Sequence, residues 1–211
     1  MPADQAPQDV QDLSEEEIQR WIGREIDGRY RILRVLGAGG MGAVFFAEHL
    51  KLKKEVAFKI IRREFAEKDV FAARFTREAM ATAQLENPHI VSATDYGLLP
   101  EGGAYLVLQL VQGHSLGDVL RENGALAWPQ ACLLGAQIAD AMVTAHAKGI
   151  VHRDLKHDNI LVELRTSGRL HAHVLDFGLA RIVAGEADEK GIGAQALTSK
   201  GTLVGTPGYM A

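Results

Sequence analysis

The sequence predicts an α+β fold, an antiparallel strand-rich unit followed by a mainly helical one, on three observations. From Tyr30 onward, short β-branched and aromatic runs, "YRILRVLG", "AVFFAEHL" and "KEVAFKII", are separated by glycines or lysines, as in an antiparallel meander. After Gly113 the apolar spacing becomes helical, and its longest stretch covers about 129–148. The chain has 211 residues, 47% hydrophobic and 24% charged, enough for one large domain or two small lobes.

Taken in order, residues 1–13 are polar and rich in Pro, Gln and Asp, the composition of a disordered leader. "SEEEIQRWIGREI" places Ser14 three residues before Glu17, a capping-box pattern, and sets Ile18, Trp21, Ile22 and Ile26 at helical spacing, so a short amphipathic helix is expected. The three strands follow, then a helix at about 70–85 with Phe71, Phe75, Ala79, Thr82 and Leu85 along one side. "HIVSATDYG" and "AYLVLQLV" read as two more strands. A short helix at about 115–123 precedes the long one, whose Leu134, Ile138, Ala141, Met142 and Ala145 form a stripe and whose Gly149 suits a C-cap. Two short strands, "ILVEL" and "HAHVLD", flank the turn "RTSGR". Beyond Asp176, "GEADEKGIGAQ" has the composition of a surface loop.

The net charge of −4 gives no electrostatic case for nucleic acid, and the acid is concentrated in residues 1–27, where eight acids stand against Arg20 and Arg24. The single cysteine, Cys132, excludes an internal disulfide and fits a reducing compartment; its apolar helical surroundings predict a core position. With no basic-then-apolar leader and no run of 18 apolar residues, the expectation is a cytoplasmic chain without membrane contact.

Four motifs carry chemistry. "GAGGMGAV" sets Gly37, Gly39 and Gly42 in G-x-G-x-x-G-x-V, where missing Cβ atoms let backbone amides approach phosphate oxygens. A plain hairpin would use the same glycines. A dinucleotide site needs a helix directly after them, whereas strand, turn and strand follow here. Lys59 ends the apolar run "EVAFK", and either snorkels to solvent or meets an anion, for which Glu78 in "RFTREAMATAQL" is a candidate. "VHRDLKHDNILV" encloses Asp154, Lys156 and Asn159 among apolar residues, a costly polar set that suits phosphoryl transfer. Asp154 can accept a hydroxyl proton, Lys156 can offset charge on the moving group, and Asn159 offers a neutral oxygen to a metal. "LDFG" places Asp176 after a strand, as an anionic Mg²⁺ ligand or simply as an acidic turn.

Together with "VAFK" and "GTPGYMA", this ordered set resembles the eukaryotic-type Ser/Thr protein kinases of bacteria over about residues 28–211. The resemblance implies a bilobal, protein-kinase-like α+β fold after the acidic leader at 1–27: a β-rich N-lobe at 28–111 and a partial helical C-lobe at 112–211, with ATP between the lobes. It implies that Leu36, Gly37, Gly39, Gly42, Val44, Ala57, Leu108 as gatekeeper, Gln109 to Val111 as hinge, and Leu161 surround ATP. Lys59 would contact the α/β-phosphates while paired to Glu78. Asp154 would be the catalytic base beside Lys156, and Asn159 and Asp176 the Mg²⁺ ligands. Arg153 before Asp154 implies activation by a phosphate on Thr198, Ser199 or Thr202, a stretch that also reads as a plain polar loop. Thr206 matches the substrate-facing loop that favours Ser/Thr acceptors in protein substrates.

Several positions depart from the family pattern. Gln109 replaces the usual hinge glutamate, His157 stands where proline usually follows the catalytic lysine, and the hairpin before "DFG" is long. His171 and His173 in that hairpin are expected at the surface rather than on a metal. Further helices follow "GTPGYMA" in the family, so the expectation is a domain truncated before the end of the A-P-E motif, with an apolar face on the long helix and an opening to oligomerise through it. That leaves a kinase by motif, with weak or absent turnover by the 211-residue chain, against a catalytically incompetent ATP-binding or interaction fragment.

Overall fold

A computed structural model of the chain describes residues 14–39, 42–62, 75–76, 79–177 and 207–209. Its first half is a six-stranded antiparallel sheet, preceded by helix α1 (Glu15–Gln19). The strands are β1 (Glu25–Ile26), β2 (Tyr30–Gly39), β3 (Gly42–His49), β4 (Lys54–Ile61), β5 (Ala93–Leu98) and β6 (Ala104–Gln109), in the spatial order β1-β2-β3-β4-β6-β5.

The capping box forms: the Ser14 hydroxyl accepts from the Glu17 amide while the Glu17 carboxylate accepts from the Ser14 amide. The helix is shorter than its apolar spacing suggests. Gly23, at φ +86°, turns the chain and donates its amide to Ile32 O, so Ile26 leaves the helical pattern and pairs with Tyr30 in the sheet. Ile18 and Trp21 still pack against the sheet.

Strand β4 organises this half. Its side chains alternate, so Val56, Phe58 and Ile60 enter one apolar cluster with Phe45, Tyr105 and Val107, while Ala57 and Ile61 enter the opposite one with Phe75, Ala79 and Leu106. Phe58 and Tyr105 stack at 4.8 Å in the first cluster. Lys59 shares the second face with Ala57 and Ile61. Residues 79–83 are helical, and Phe75, Ala79, Thr82 and Leu85 are buried as their spacing predicts; Phe71 lies outside the described residues.

A polar network ties the start of the sheet to its far edge. Arg29 reaches Asp95 at 2.5 Å and the Tyr105 hydroxyl at 3.0 Å, and Tyr30 donates to Asp95 at 2.7 Å. Tyr105 in turn donates to Asp27. Burial, together with the hydrogen bonds to these carboxylates, raises the pKa of both tyrosines well above the usual phenol value.

The second half is built on a three-stranded sheet of β7 (His114–Ser115), β8 (Ile160–Leu164) and β9 (Leu170–Val174) with helices α2 (Leu116–Asn123) and α3 (Trp128–Ala147). Ser115 caps α2 by accepting from the Asp118 amide at 3.0 Å. Pro129 lies in the first turn of α3, Lys148 is its C-cap, and Gly149 follows at φ +71°. Leu134, Ala141 and Ala145 are buried, with Ile138 and Met142 partly so. The halves are joined where Val91 donates to Val174 O at 3.0 Å and Val174 donates to His89 O at 2.8 Å.

Two expectations fail here. Cys132 is exposed rather than in the core, because it lies on the opposite side of α3 from Leu134 and Ala141. Trp128 and Val143, at 79% and 67% exposure, share that outward surface of α3. His173 is buried rather than at the surface, with 4% exposure. Its Nε2 donates to Glu163 at 3.0 Å, and its ring meets His171 edge-on at 4.6 Å. Among the described residues, no helix is long and apolar enough to cross a membrane.

Candidate active site

Lys59 is carried on the cleft-facing side of β4, where only 9% of it is exposed, and a cation so placed needs an anion. Its Nζ is 2.6 Å from Asp176 Oδ2. Glu78, the partner expected from the sequence, lies outside the described residues, as do Thr198, Ser199, Thr202 and Thr206. Asp176 has φ +61° and Arg153 φ +68°, a left-handed backbone costly for residues with a Cβ and held by the bonds around it.

Much of that holding falls to His152, a residue to which the sequence reading gave no role. Its Nε2 donates to Leu175 O at 2.7 Å and its Nδ1 accepts from the Asp154 amide at 3.3 Å. One proton on Nε2 satisfies both bonds, and burial lowers the imidazole pKa, in keeping with that neutral form. The ring lies 4.8 Å from that of buried Phe177, whose carbonyl accepts from Thr82 Oγ1 at 3.2 Å. One histidine thus ties the segment before Asp154 to the segment before Asp176.

Asp154 is fixed from the other side. Asn159 Nδ2 donates to Asp154 O at 2.8 Å and to its Oδ2 at 3.1 Å, and Lys156 Nζ is 3.4 Å from the same oxygen. Asn159 O accepts from the Leu175 amide at 2.9 Å, which makes Asn159 and Asp176 neighbours. With Nδ2 committed to Asp154, the Oδ1 of Asn159 remains as an acceptor. A neutral amide oxygen beside a carboxylate is a hard-oxygen pair, suited to Mg²⁺ that takes its remaining ligands from phosphates and water. Among the described residues, no group of three or more His, Cys, Asp or Glu side chains is placed to hold a metal.

A cavity of about 400 Å³ opens beside this cluster. Leu36, Gly37 and Val44 line it from the β2–β3 hairpin, Ala57 and Lys59 from β4, Leu108 and Gln109 from the end of β6, Val111 from the connection after it, and Leu161 and Asp176 from the second half. The sequence did not single out Asp118, Asp158, Val91 or Leu175, which also line it; Leu175, directly before Asp176, was the one with a local signal. Gly39 and Gly42 are not on its wall. Gly42 has φ +146°, and a Cβ there would stand 1.9 Å from Ile60 O, so this glycine lets two strands approach.

A nucleotide-sized cleft between an antiparallel sheet and a helical unit, with a lysine above and an Asp-Lys-Asn set below, defines the two-lobed fold of protein kinases. The chain belongs to the protein kinase domain family, whose family model matches residues 30–211. It is 36% identical over 190 residues to the serine/threonine-protein kinase pkn3 of Myxococcus xanthus, an alignment covering 90% of this chain and 34% of that protein. It is 41% identical over 184 residues to PknH of Mycobacterium tuberculosis, covering 87% of this chain and 27% of the relative. The chain therefore spans roughly a third or less of the length of these relatives. The crystal structure of the Mycobacterium tuberculosis PknI kinase domain aligns with TM-score 0.63 and 27% identity over 79% of this chain and 69% of that one. Rad53 in complex with AMP-PNP aligns with TM-score 0.63 and 31% identity, over 72% of this chain and 38% of that one.

Proposed function

We propose that the chain transfers the γ-phosphoryl group of ATP to serine and threonine hydroxyls of proteins. The observation that carries this reading is the meeting of Lys59 and Asp176 at the cavity wall, with Asp154, Lys156 and Asn159 tied to the same strand end. Apolar Leu36, Val44, Ala57, Leu108 and Leu161 suit the faces of a purine, and the main chain of Gln109 to Val111 suits its edge. In this reading Lys59 would turn from Asp176 toward the α/β-phosphates, and Glu78 would be its other carboxylate.

Asp154 orients the acceptor hydroxyl and takes its proton, while Lys156 offsets charge on the moving phosphoryl group. Asn159 and Asp176 would hold Mg²⁺, which when bound neutralises phosphate charge. Arg153 would receive a phosphate on Thr198, Ser199 or Thr202, and Thr206 would face the acceptor. In this reading residues 28–111 form the N-lobe, with α1 and β1 packed on it from the leader, 112–211 form the C-lobe portion, and the single cysteine fits the reducing cytoplasm. The test is incorporation of labelled phosphate into the purified chain with Mg²⁺ and ATP. The expected outcome is weak labelling of the wild type and none of Asp154→Asn; equal labelling of both would overturn the assignment.

A further inference from the structure

His157 takes no part in the machinery above. It lines none of the cavity and holds neither Asp154 nor Asn159, although it stands between them in the chain. Its ring is nevertheless confined on three sides. Nδ1 lies 3.0 Å from Asp158 Oδ1 and donates to it. Beside the ring is the start of α2, where a Cβ on Gly117 would come within 2.6 Å of Asp158 Oδ1 and 2.7 Å of Nδ1, so a larger residue there would push this pair aside. In front is Tyr209, its ring perpendicular to the imidazole at 5.4 Å between centroids. Tyr209 belongs to the short turn Pro207–Tyr209, directly after Thr206. A proline at 157 would carry neither the ring N–H nor a side chain that leaves its own backbone.

We propose that His157 is a positioning residue for the protein acceptor: it holds the Pro207–Tyr209 turn against the loop that carries Asp154. This rests on the kinase reading, in which the acceptor segment lies between Asp154 and that turn. The nucleotide cavity shares no wall with residues 207–209, and it meets His157 only through Asp158, an exposed lining residue whose carboxylate accepts from Nδ1. Loosening the turn therefore weakens acceptor binding and spares ATP.

The test has two readouts. Steady-state transfer to dephosphorylated casein is compared in the wild type, His157→Ala and His157→Phe, the last keeping a ring. The expected result for His157→Ala is a KM for casein raised about fivefold, with the KM for ATP within about twofold and recovery in His157→Phe. An unchanged KM for casein, or equal losses for both substrates without recovery, overturns the proposal. Independently of activity, the chain is labelled with 3-fluorotyrosine; it has four tyrosines, and Tyr209→Phe assigns the signal of interest. His157→Ala is expected to move that ¹⁹F resonance alone, and an unmoved resonance overturns the contact. If the wild type labels neither casein nor itself, the kinase reading fails, and the fluorine spectra still decide whether His157 holds the turn.

Discussion

Lys59 Nζ and Asp176 Oδ2, 117 residues apart in the chain, meet at 2.6 Å across the cleft. The lysine side chain is 11% exposed and the carboxylate 28%, so the pair is shielded on one side and wet on the other. Lys59→Met and Asp176→Asn should each lower phosphoryl transfer by about 100-fold or more. Asp176→Asn should also destabilise the fold by about 1–2 kcal/mol, since it leaves the lysine short of an anion in a site that water partly reaches. Kinetics and thermal melts of the two variants check both parts.

Gly42→Ala tests backbone approach. The added methyl would fall on Ile60 O, a main-chain atom that cannot swing away, in a conformation that L residues rarely adopt. A loss of about 2–3 kcal/mol is expected, a fall in Tm of about 5–10 °C. Gly39→Ala, with nothing within 4 Å of the added atom, should melt close to wild type.

Acid should weaken the fold through two histidines. Burial holds His152 and His173 below the ordinary value of 6.5, against the opposing pull of Asp154 and Asp176 on the first and Glu163 on the second. The unfolded chain therefore takes up more protons than the folded one as pH drops through 6.5. Stability is full above that point and is lost as pH falls toward the depressed folded values. Tm should be lower at about pH 5.5 than at about pH 7.5, and His173→Gln should flatten the difference.

Trp21 and Glu101 separate packing from surface charge. Trp21 lies against the first apolar cluster under the Arg24 guanidinium, 4.2 Å from its ring. Trp21→Ala should cost about 2 kcal/mol. The Arg24–Glu101 pair is 2.5 Å long but about 40% exposed on both sides, and Glu101→Ala should cost no more than about 0.5 kcal/mol. Paired denaturant titrations would show the difference.

The strands and the Asp154, Lys156 and Asn159 cluster were legible because each rests on a short-range pattern. The run "VAFKII" has the composition of a strand covered on both faces, and the spacing inside "HRDLKHDN" brings Asp154, Lys156 and Asn159 together within one loop. What could not be read depended on which face a neighbour covers. In α3, small and apolar residues occur all round, so periodicity does not decide whether Cys132 or Leu134 turns inward. For His173, alternation on β9 separates two faces without saying that α3 covers that hairpin. His152 carried no signal because its role lies in two bonds to segments far along the chain. Ile26 was lost to one glycine turn.

The sheet's polar network bears on where this fold can be cut. The family match begins at Tyr30, and a recombinant boundary drawn there would discard Ile26, a core residue with 5% exposure, together with Asp27 and Arg29. Tyr105 would lose both side-chain partners, Asp95 would lose its cation, and β2 would become an uncovered edge open to pairing with another chain. A unit that keeps this network therefore starts upstream of the family match, before Ile26.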